Sequence, residues 1–208
     1  MNPKILIGCE HSDTVAGAFR KRGFDVTSCD ILPCDNQRGN HFQGDLLELL
    51  KQPWDVIIAH PECTYVCNSG VKHLHTDIGR WFALHDACQF FSSIKNAQAD
   101  FVAIENPIPH KYAVAQIGKY QQIIQPWQFG HGEIKATCFW LKNLPPLIPT
   151  NIVDGRNDSC HRQSPGPNRG YFRSIFYPGV SDAMAEQWGS YILESLKTKN
   201  NKQRGVIK

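Results

Sequence analysis

The 208-residue chain has no apolar run near the roughly 18 residues that crossing a bilayer as a helix requires. A membrane-spanning helix is therefore not expected. It also lacks an apolar leader followed by a small-residue cleavage site. MNPKILIGCEH runs straight into a strand-like segment, so a cytoplasmic chain is expected. Neither sign of charge is in large excess. Twenty-two Lys and Arg against 19 Asp and Glu give a formal net charge of +3, which neither demands nor excludes a nucleic-acid partner. Tight Cys-x-x-Cys pairs and internal repeats are missing too, which argues against zinc ribbons and solenoids. What is present is ordinary globular composition, 41% hydrophobic and 20% charged, long enough for one domain with a sizeable core. The eight cysteines (Cys9, Cys29, Cys34, Cys63, Cys67, Cys88, Cys138 and Cys160) are scattered, several of them inside apolar segments. Reduced thiols are expected rather than a disulfide framework.

Apolar runs alternate with helical patterns through the first two thirds. Lys4–Cys9, Asp25–Asp30, Trp54–Ala59 and Phe101–Glu105 read as strands. Ser12–Arg22 (closed by Gly23), Asp45–Leu50 and Ile78–Asn96 read as helices, with Pro33–Asn40 and His60–His75 as loops. Near-continuous apolar strands separated by helices predict an α/β fold with a mostly parallel sheet buried on both faces. Tyr120–Phe129 and Thr137–Lys142 then read as a late antiparallel strand pair. Residues 1–144 form the expected catalytic core, and 145–180 an irregular basic segment. Residues 181–208 supply a C-terminal helix capped by Ser181 and a frayed basic tail, within the same domain.

In open parallel sheets, ligands bind outside the carboxyl ends of the strands. Those ends carry Gly8-Cys9-Glu10-His11-Ser12, then Asp30, then His60-Pro61-Glu62-Cys63, then Glu105-Asn106-Pro107. A glycine at the first end lets a ligand approach the backbone, and an acid at the second suits a ribose diol. Topology alone thus leads a cysteine and a glutamate to one crevice.

The order of these segments resembles the cytosine C5 DNA methyltransferase family, and in particular its small phage-type members without a large target-recognition domain. Asp55–Thr64 (DVIIAHPECT) is similar to the family's apolar run ending in Pro-Cys-Gln. Ile104-Glu105-Asn106-Pro107 stands where the family has Glu-Asn-Val. Phe19–Asp30 and Gly44-Asp45 resemble pieces of the cofactor half. Phe129-Gly130 through Leu141 resembles the later Gln-x-Arg-x-Arg strand pair, with Glu133 and Lys135 in the Gln and Arg places, and Gln187–Ser190 resembles the closing motif. The resemblance covers residues 4–142 in order, plus that last piece. It implies a Rossmann-like, S-adenosylmethionine-dependent fold and location in a bacterial host's cytoplasm. It makes Cys63 a nucleophile adding to cytosine C6, and Glu105 the acid at N3. Gly8, Cys9, Glu10, Asp30, Ile31, Asp45 and Pro61 become cofactor residues. Thr64, Asn106, Pro107, Lys135, Arg156, Arg162, Arg169 and Arg173 become substrate residues. Tyr171 and Phe172 between the last two arginines would offer stacking beside phosphate contacts.

Three departures stand out. Glu62 replaces the Pro before the nucleophile, and a carboxylate facing a thiol opposes its ionisation. The first turn is not Phe-x-Gly-x-Gly. The stretch 145–182 is far shorter than a usual target-recognition domain. Methylation of DNA, or of a free pyrimidine nucleotide, and a catalytically silent module binding nucleic acid or a protein partner are thus the competing functions. A remoter option is a glycosidic-bond enzyme using Glu105 as nucleophile. The plainer readings are an inert thiol at Cys63, a strand-end ion pair at Glu105, a turn acid at Asp30 and a solvated face of arginines. His60, Cys63, Cys67, His73 and His75 are zinc-type ligands without chelate spacing, and Cys160 beside His161 has poor geometry. No metal is expected.

Overall fold

The computed structural model describes residues 2–36, 38–164, 166–167 and 169–205. The side chains of His161 and Phe172 lie outside the described part. The chain runs β1 (Lys4–Gly8), α1 (Thr14–Lys21), β2 (Asp25–Asp30), β3 (Asn40–Gln43), α2 (Leu46–Leu49), β4 (Trp54–Ala59), a 3-10 segment (Asn68–His75), α3 (Gly79–Lys95) and β5 (Ala99–Pro107). It continues through α4 (Lys111–Ile117), β6 (Gln122–Ile124), β7 (Thr137–Lys142), three short helices α5 (Ser159–Arg162), α6 (Arg169–Ser174) and α7 (Pro178–Ala183), and α8 (Gly189–Gly205). The strands form one sheet in the order β3-β2-β1-β4-β5-β7-β6. The first five strands are parallel, and β7 runs antiparallel to both its neighbours.

Period-two alternation sends successive strand residues to opposite faces. Ile5, Ile7, Val56, Ile58, Phe101 and Ala103 join a core closed by α1, α7 and α8. Leu6, Ile57, Val102 and Ile104 join a second core under α2, α3 and α4. Burial on both faces is why these strands carry apolar residues at nearly every position. The result is three layers, helices on both sides of a mixed sheet. No helix among the described residues is long and apolar enough to cross a membrane.

Several elements differ from expectation. β3 is new; its sequence NHFQ is short, half-exposed and without alternation, and it pairs only with the parallel edge of β2. The second of the late strands agrees with expectation, whereas the first shrinks to Gln122–Ile124. The 3-10 segment lies within the expected loop at 60–75, and α4 follows Pro109. Ser181 is not a helix cap. Tyr177 precedes the helix, Pro178 occupies its first turn, and the Ser181 hydroxyl donates to the Tyr177 carbonyl at 3.2 Å. Residues 184–188 form a π-type turn that continues into α8, which stays helical to Gly205 where a frayed tail was expected. Residues 206–208 of that tail lie outside the described part.

Candidate active site

The strand order turns around between β1 and β4, the position where open sheets leave a crevice at their carboxyl edge. The β1 end is unusual. Cys9 (φ 56°) and Asp13 (φ 59°) both adopt the left-handed conformation, which non-glycine residues rarely take. The two reversals bring Glu10 under α1. Its buried carboxylate accepts the Val15 and Ala16 N–H groups at 2.5 and 3.0 Å. Burial raises the Glu10 carboxyl above its ordinary range, while His60 and these two N–H donors pull the other way. Asp13, on the same loop, is paired with Arg20. Replacing Glu10 by Ala leaves the first turn of α1 without its acceptor and is expected to cost about 2 kcal/mol. Urea denaturation measures it, and an unchanged midpoint would rule out the capping role.

The space above Gly8 is filled by Leu46, whose methyl group lies 2.6 Å from where a Cβ would stand. Burial and the carboxylates of Asp30 and Asp45 hold the neighbouring Cys9 thiol well above its ordinary pKa, so it stays protonated. Asp30 is half-buried at the end of β2, its Oδ1 accepting the Leu32 N–H at 2.9 Å. Ile31 beside it is 75% exposed. Asp45 caps α2 through the Leu47 N–H at 2.9 Å. An acid beside an exposed aliphatic side chain at this edge could hold a nucleoside, the carboxylate accepting from ribose hydroxyls and the apolar face meeting the base. The N-terminus of α1 is occupied by Glu10.

Past β4, the chain is clamped to the segment after β5. The buried Asn106 donates to the Pro61 carbonyl at 2.8 Å, and its own Oδ1 is buried without a partner. The backbone pairs Asn68 with Ile108 (2.8 Å) and His110 with Val66 (3.0 Å), while the His110 ring meets the Tyr65 carbonyl at 2.9 Å. These contacts hold Cys63 and Glu105 on one patch; the neighbouring Cys67, burial and then the Glu105 charge push the Cys63 thiol up, and Arg173 opposes them. Glu62 is exposed and accepts from the Thr64 hydroxyl at 2.6 Å, turned to solvent with its partner. Pro107 pairs with Thr137 at the start of β7.

Two residues of the patch had no assigned role from sequence. His60 Nδ1 lies 3.2 Å from Glu105 Oε2, both side chains nearly buried, and His60 Nε2 is buried without a partner. His60 also lines a small cavity together with Cys9, Glu10, His11, Ser12, Ser174 and Phe176. The second is Cys67, one helical turn beyond Cys63. Among the described residues no group of three or more His, Cys, Asp or Glu side chains is placed so that it could hold a metal ion.

The late segment folds over this edge. The His60 and Phe176 rings are 4.9 Å apart, as are those of His11 and Tyr171. His11 also meets Asp35 and Ser174, and the Tyr171 hydroxyl donates to Asp35 at 2.7 Å. Lys135 donates from Nζ to the Arg173 carbonyl at 2.7 Å. The other three arginines have local partners. Arg156 stacks on Trp127 at 3.8 Å and donates to the Val153 and Gly155 carbonyls. Arg162 pairs with Asp158 at 2.7 Å, and Arg169 donates to the Gln163 carbonyl at 2.8 Å.

No family model matches the chain, and no curated protein matches it. Solved structures do. A protein from E. coli described as a prophage-encoded DNA modification methyltransferase aligns with 79% of this chain at 17% identity and a TM-score of 0.50. The Dnmt2 methyltransferase of S. pombe aligns with 70% at 12% identity (TM-score 0.42), and an E. coli rRNA methylase with 68% at 12% (TM-score 0.39). This chain covers 56%, 51% and 57% of those three chains. Together with the strand order, the first of these likenesses shows a Rossmann-like α/β fold shared with that protein.

Proposed function

We propose that the chain transfers a methyl group from S-adenosylmethionine to C5 of cytosine in DNA, with Cys63 as nucleophile and Glu105 as the acid at N3. The observation that carries this reading is the convergence of Cys63, Glu105 and His60 at the carboxyl edge beside the turn-around of the sheet. S-adenosylmethionine supplies a methyl group activated on a sulfonium. Asp30 would hold its ribose, Ile31 its base, and Cys9, Glu10, Asp45 and Pro61 would complete the wall, whereas Gly8, covered by Leu46, offers no backbone approach.

Cytosine C5 is a poor nucleophile. Addition of the Cys63 thiolate to C6 pushes electrons onto C5 and N3. Glu105 meets the charge that develops at N3. His60 fixes Glu105 Oε2, which leaves Oε1 as the oxygen to face the base. Asn106 ties the strand carrying Glu105 to the loop carrying Cys63 through Pro61. Thr64, Pro107, Lys135 and Arg173 would meet the substrate.

One observation favours a smaller substrate as the second reading. Arg156, Arg162 and Arg169 already hold carbonyls, an aromatic face or a carboxylate, so the late segment offers few uncommitted cations to a duplex. A free pyrimidine nucleotide needs fewer. Radiolabelled methyl transfer to a cytosine-containing duplex and to dCMP and dCTP decides between them. Transfer to the duplex is expected. Label in the nucleotides alone would move the assignment to the second reading, and label in neither would leave a binding module.

A further inference from the structure

Glu105 can act as an acid at N3 only when its proton sits on the oxygen that faces the base. The two oxygens of a carboxyl group are alike, so the partner of one decides the role of the other. Among the described residues, His60 is the one side chain that hydrogen-bonds to the Glu105 carboxyl group, with Nδ1 at 3.2 Å from Oε2. Lys135 gives its ammonium group to the Arg173 carbonyl instead. The imidazole is held in place on other sides too. The His60 backbone N–H donates to the Gly8 carbonyl at 3.0 Å, and the Phe176 ring packs against the imidazole with 53° between their planes.

A neutral imidazole carries one proton, on either nitrogen. With the proton on Nε2, Nδ1 is an acceptor and draws the carboxyl proton onto Oε2, so Oε1 has nothing to give N3. With the proton on Nδ1, the ring donates to Oε2 and the carboxyl proton is left to Oε1. This second bond alone survives in both states of Glu105, because Oε2 accepts whether or not Oε1 is protonated. It requires Nε2 to be the acceptor, and what meets that nitrogen fixes the tautomer. Nε2 is buried without a protein partner, and the ring shares a cavity of about 20 Å³ with Glu10, Ser12 and Ser174. A buried water needs about 10–15 Å³ and about two to four polar neighbours, so this cavity suits one. Such a water can donate one hydrogen to Nε2 and the other to the Glu10 carboxylate.

We propose that His60 is a positioning residue that carries its proton on Nδ1, with Nε2 held by a water in the cavity, and so keeps the acid proton of Glu105 on Oε1. This rests on the reading of Glu105 as the acid. As the Cys63 sulfur bonds to C6, the Oε1–H bond breaks and an N3–H bond forms. The electron pair stays on Oε1, and the Nδ1–H faces the resulting carboxylate. When the carbon–sulfur bond later breaks, the proton returns from N3 to Oε1. His60 neither gains nor loses a proton.

The test is long-range proton–nitrogen magnetic resonance of the isotopically labelled full chain near neutral pH. The His60 signals are assigned by their loss in His60→Gln. A protonated Nδ1 and a bare Nε2 are expected, with the Nδ1 signal shifting in Glu105→Gln. A proton on Nε2 alone, a proton on both nitrogens, or His60 signals unmoved in Glu105→Gln would overturn the proposal. The measurement needs no turnover, so its failure is separable from an absence of methyl transfer. Kinetics supply the second arm. Asparagine can place an amide N–H near the position of Nδ1, and glutamine near that of Nε2. His60→Gln is expected to lower kcat about a hundredfold with KM within about twofold, and His60→Asn to recover at least about tenfold of that loss. Equal losses in the two variants would reduce the ring to packing against Phe176 and overturn the positioning role.

Discussion

Cys63→Ala is expected to lower methyl transfer to cytosine about a thousandfold or more while leaving oligonucleotide affinity within about twofold. The loss should fall on kcat, because in the proposed reaction the thiolate acts on the reacting carbon and contributes little to ground-state binding. Cys63 has no buried packing role comparable to Cys138 or Cys29, so the variant should keep its fold. Retention of transfer in Cys63→Ala, with an unchanged far-ultraviolet spectrum, would remove the covalent mechanism altogether. A loss on KM alone would make Cys63 a binding residue.

The second large effect concerns stability. Trp188→Ala is expected to destabilise the chain by about 3–5 kcal/mol. Trp188 is 0% exposed, packs edge-on against Phe139 of β7, and donates its indole N–H to the Pro145 carbonyl at 2.9 Å. Truncation opens a cavity and strands that carbonyl. For a chain of this size the midpoint should fall by roughly 6–20 °C. The residue also bears on domain organisation. If residues 181–208 are part of the same cooperative unit as residues 1–144, Trp188→Ala should shift one transition as a whole. Loss of a minor separate transition would instead make the C-terminal helices an appendage.

The parallel strands were legible because each is buried on both faces, so Ile5–Ile7, Val56–Ile58 and Phe101–Ile104 are apolar without a break. The edge strand β3 was not, because NHFQ has backbone partners on one side only and little apolar burial to leave a pattern. The run from Pro178 to Gly205 differs from expectation at both ends. Pro178 starts the helix by fitting its first turn, and the tail follows α8 without a breaker until Gly205. For the site, Cys63 and Glu105 could be named because strand ends are topologically special. His60 could not be matched to Glu105 in advance. That contact depends on the register that sets Ala59 beside Ile104. Cys67 had the readable spacing of four from Cys63, but the turn linking them sits in a stretch whose polar composition marks a loop. The arginines of the late segment were counted as cations; which carbonyl or carboxylate each one meets is a tertiary fact that composition does not carry.

In the proposed reaction Cys63 forms a covalent bond with cytosine C6. Fluorine at C5 cannot leave as a proton, so a duplex containing 5-fluorocytosine should arrest the reaction after methyl transfer. Intact-mass measurement with S-adenosylmethionine present is expected to show the chain heavier by one oligonucleotide and one methyl group, the added mass mapping to the Cys63 peptide and vanishing in Cys63→Ala. Methyl transfer to ordinary cytosine with no such adduct, or an adduct that persists in Cys63→Ala, would contradict it.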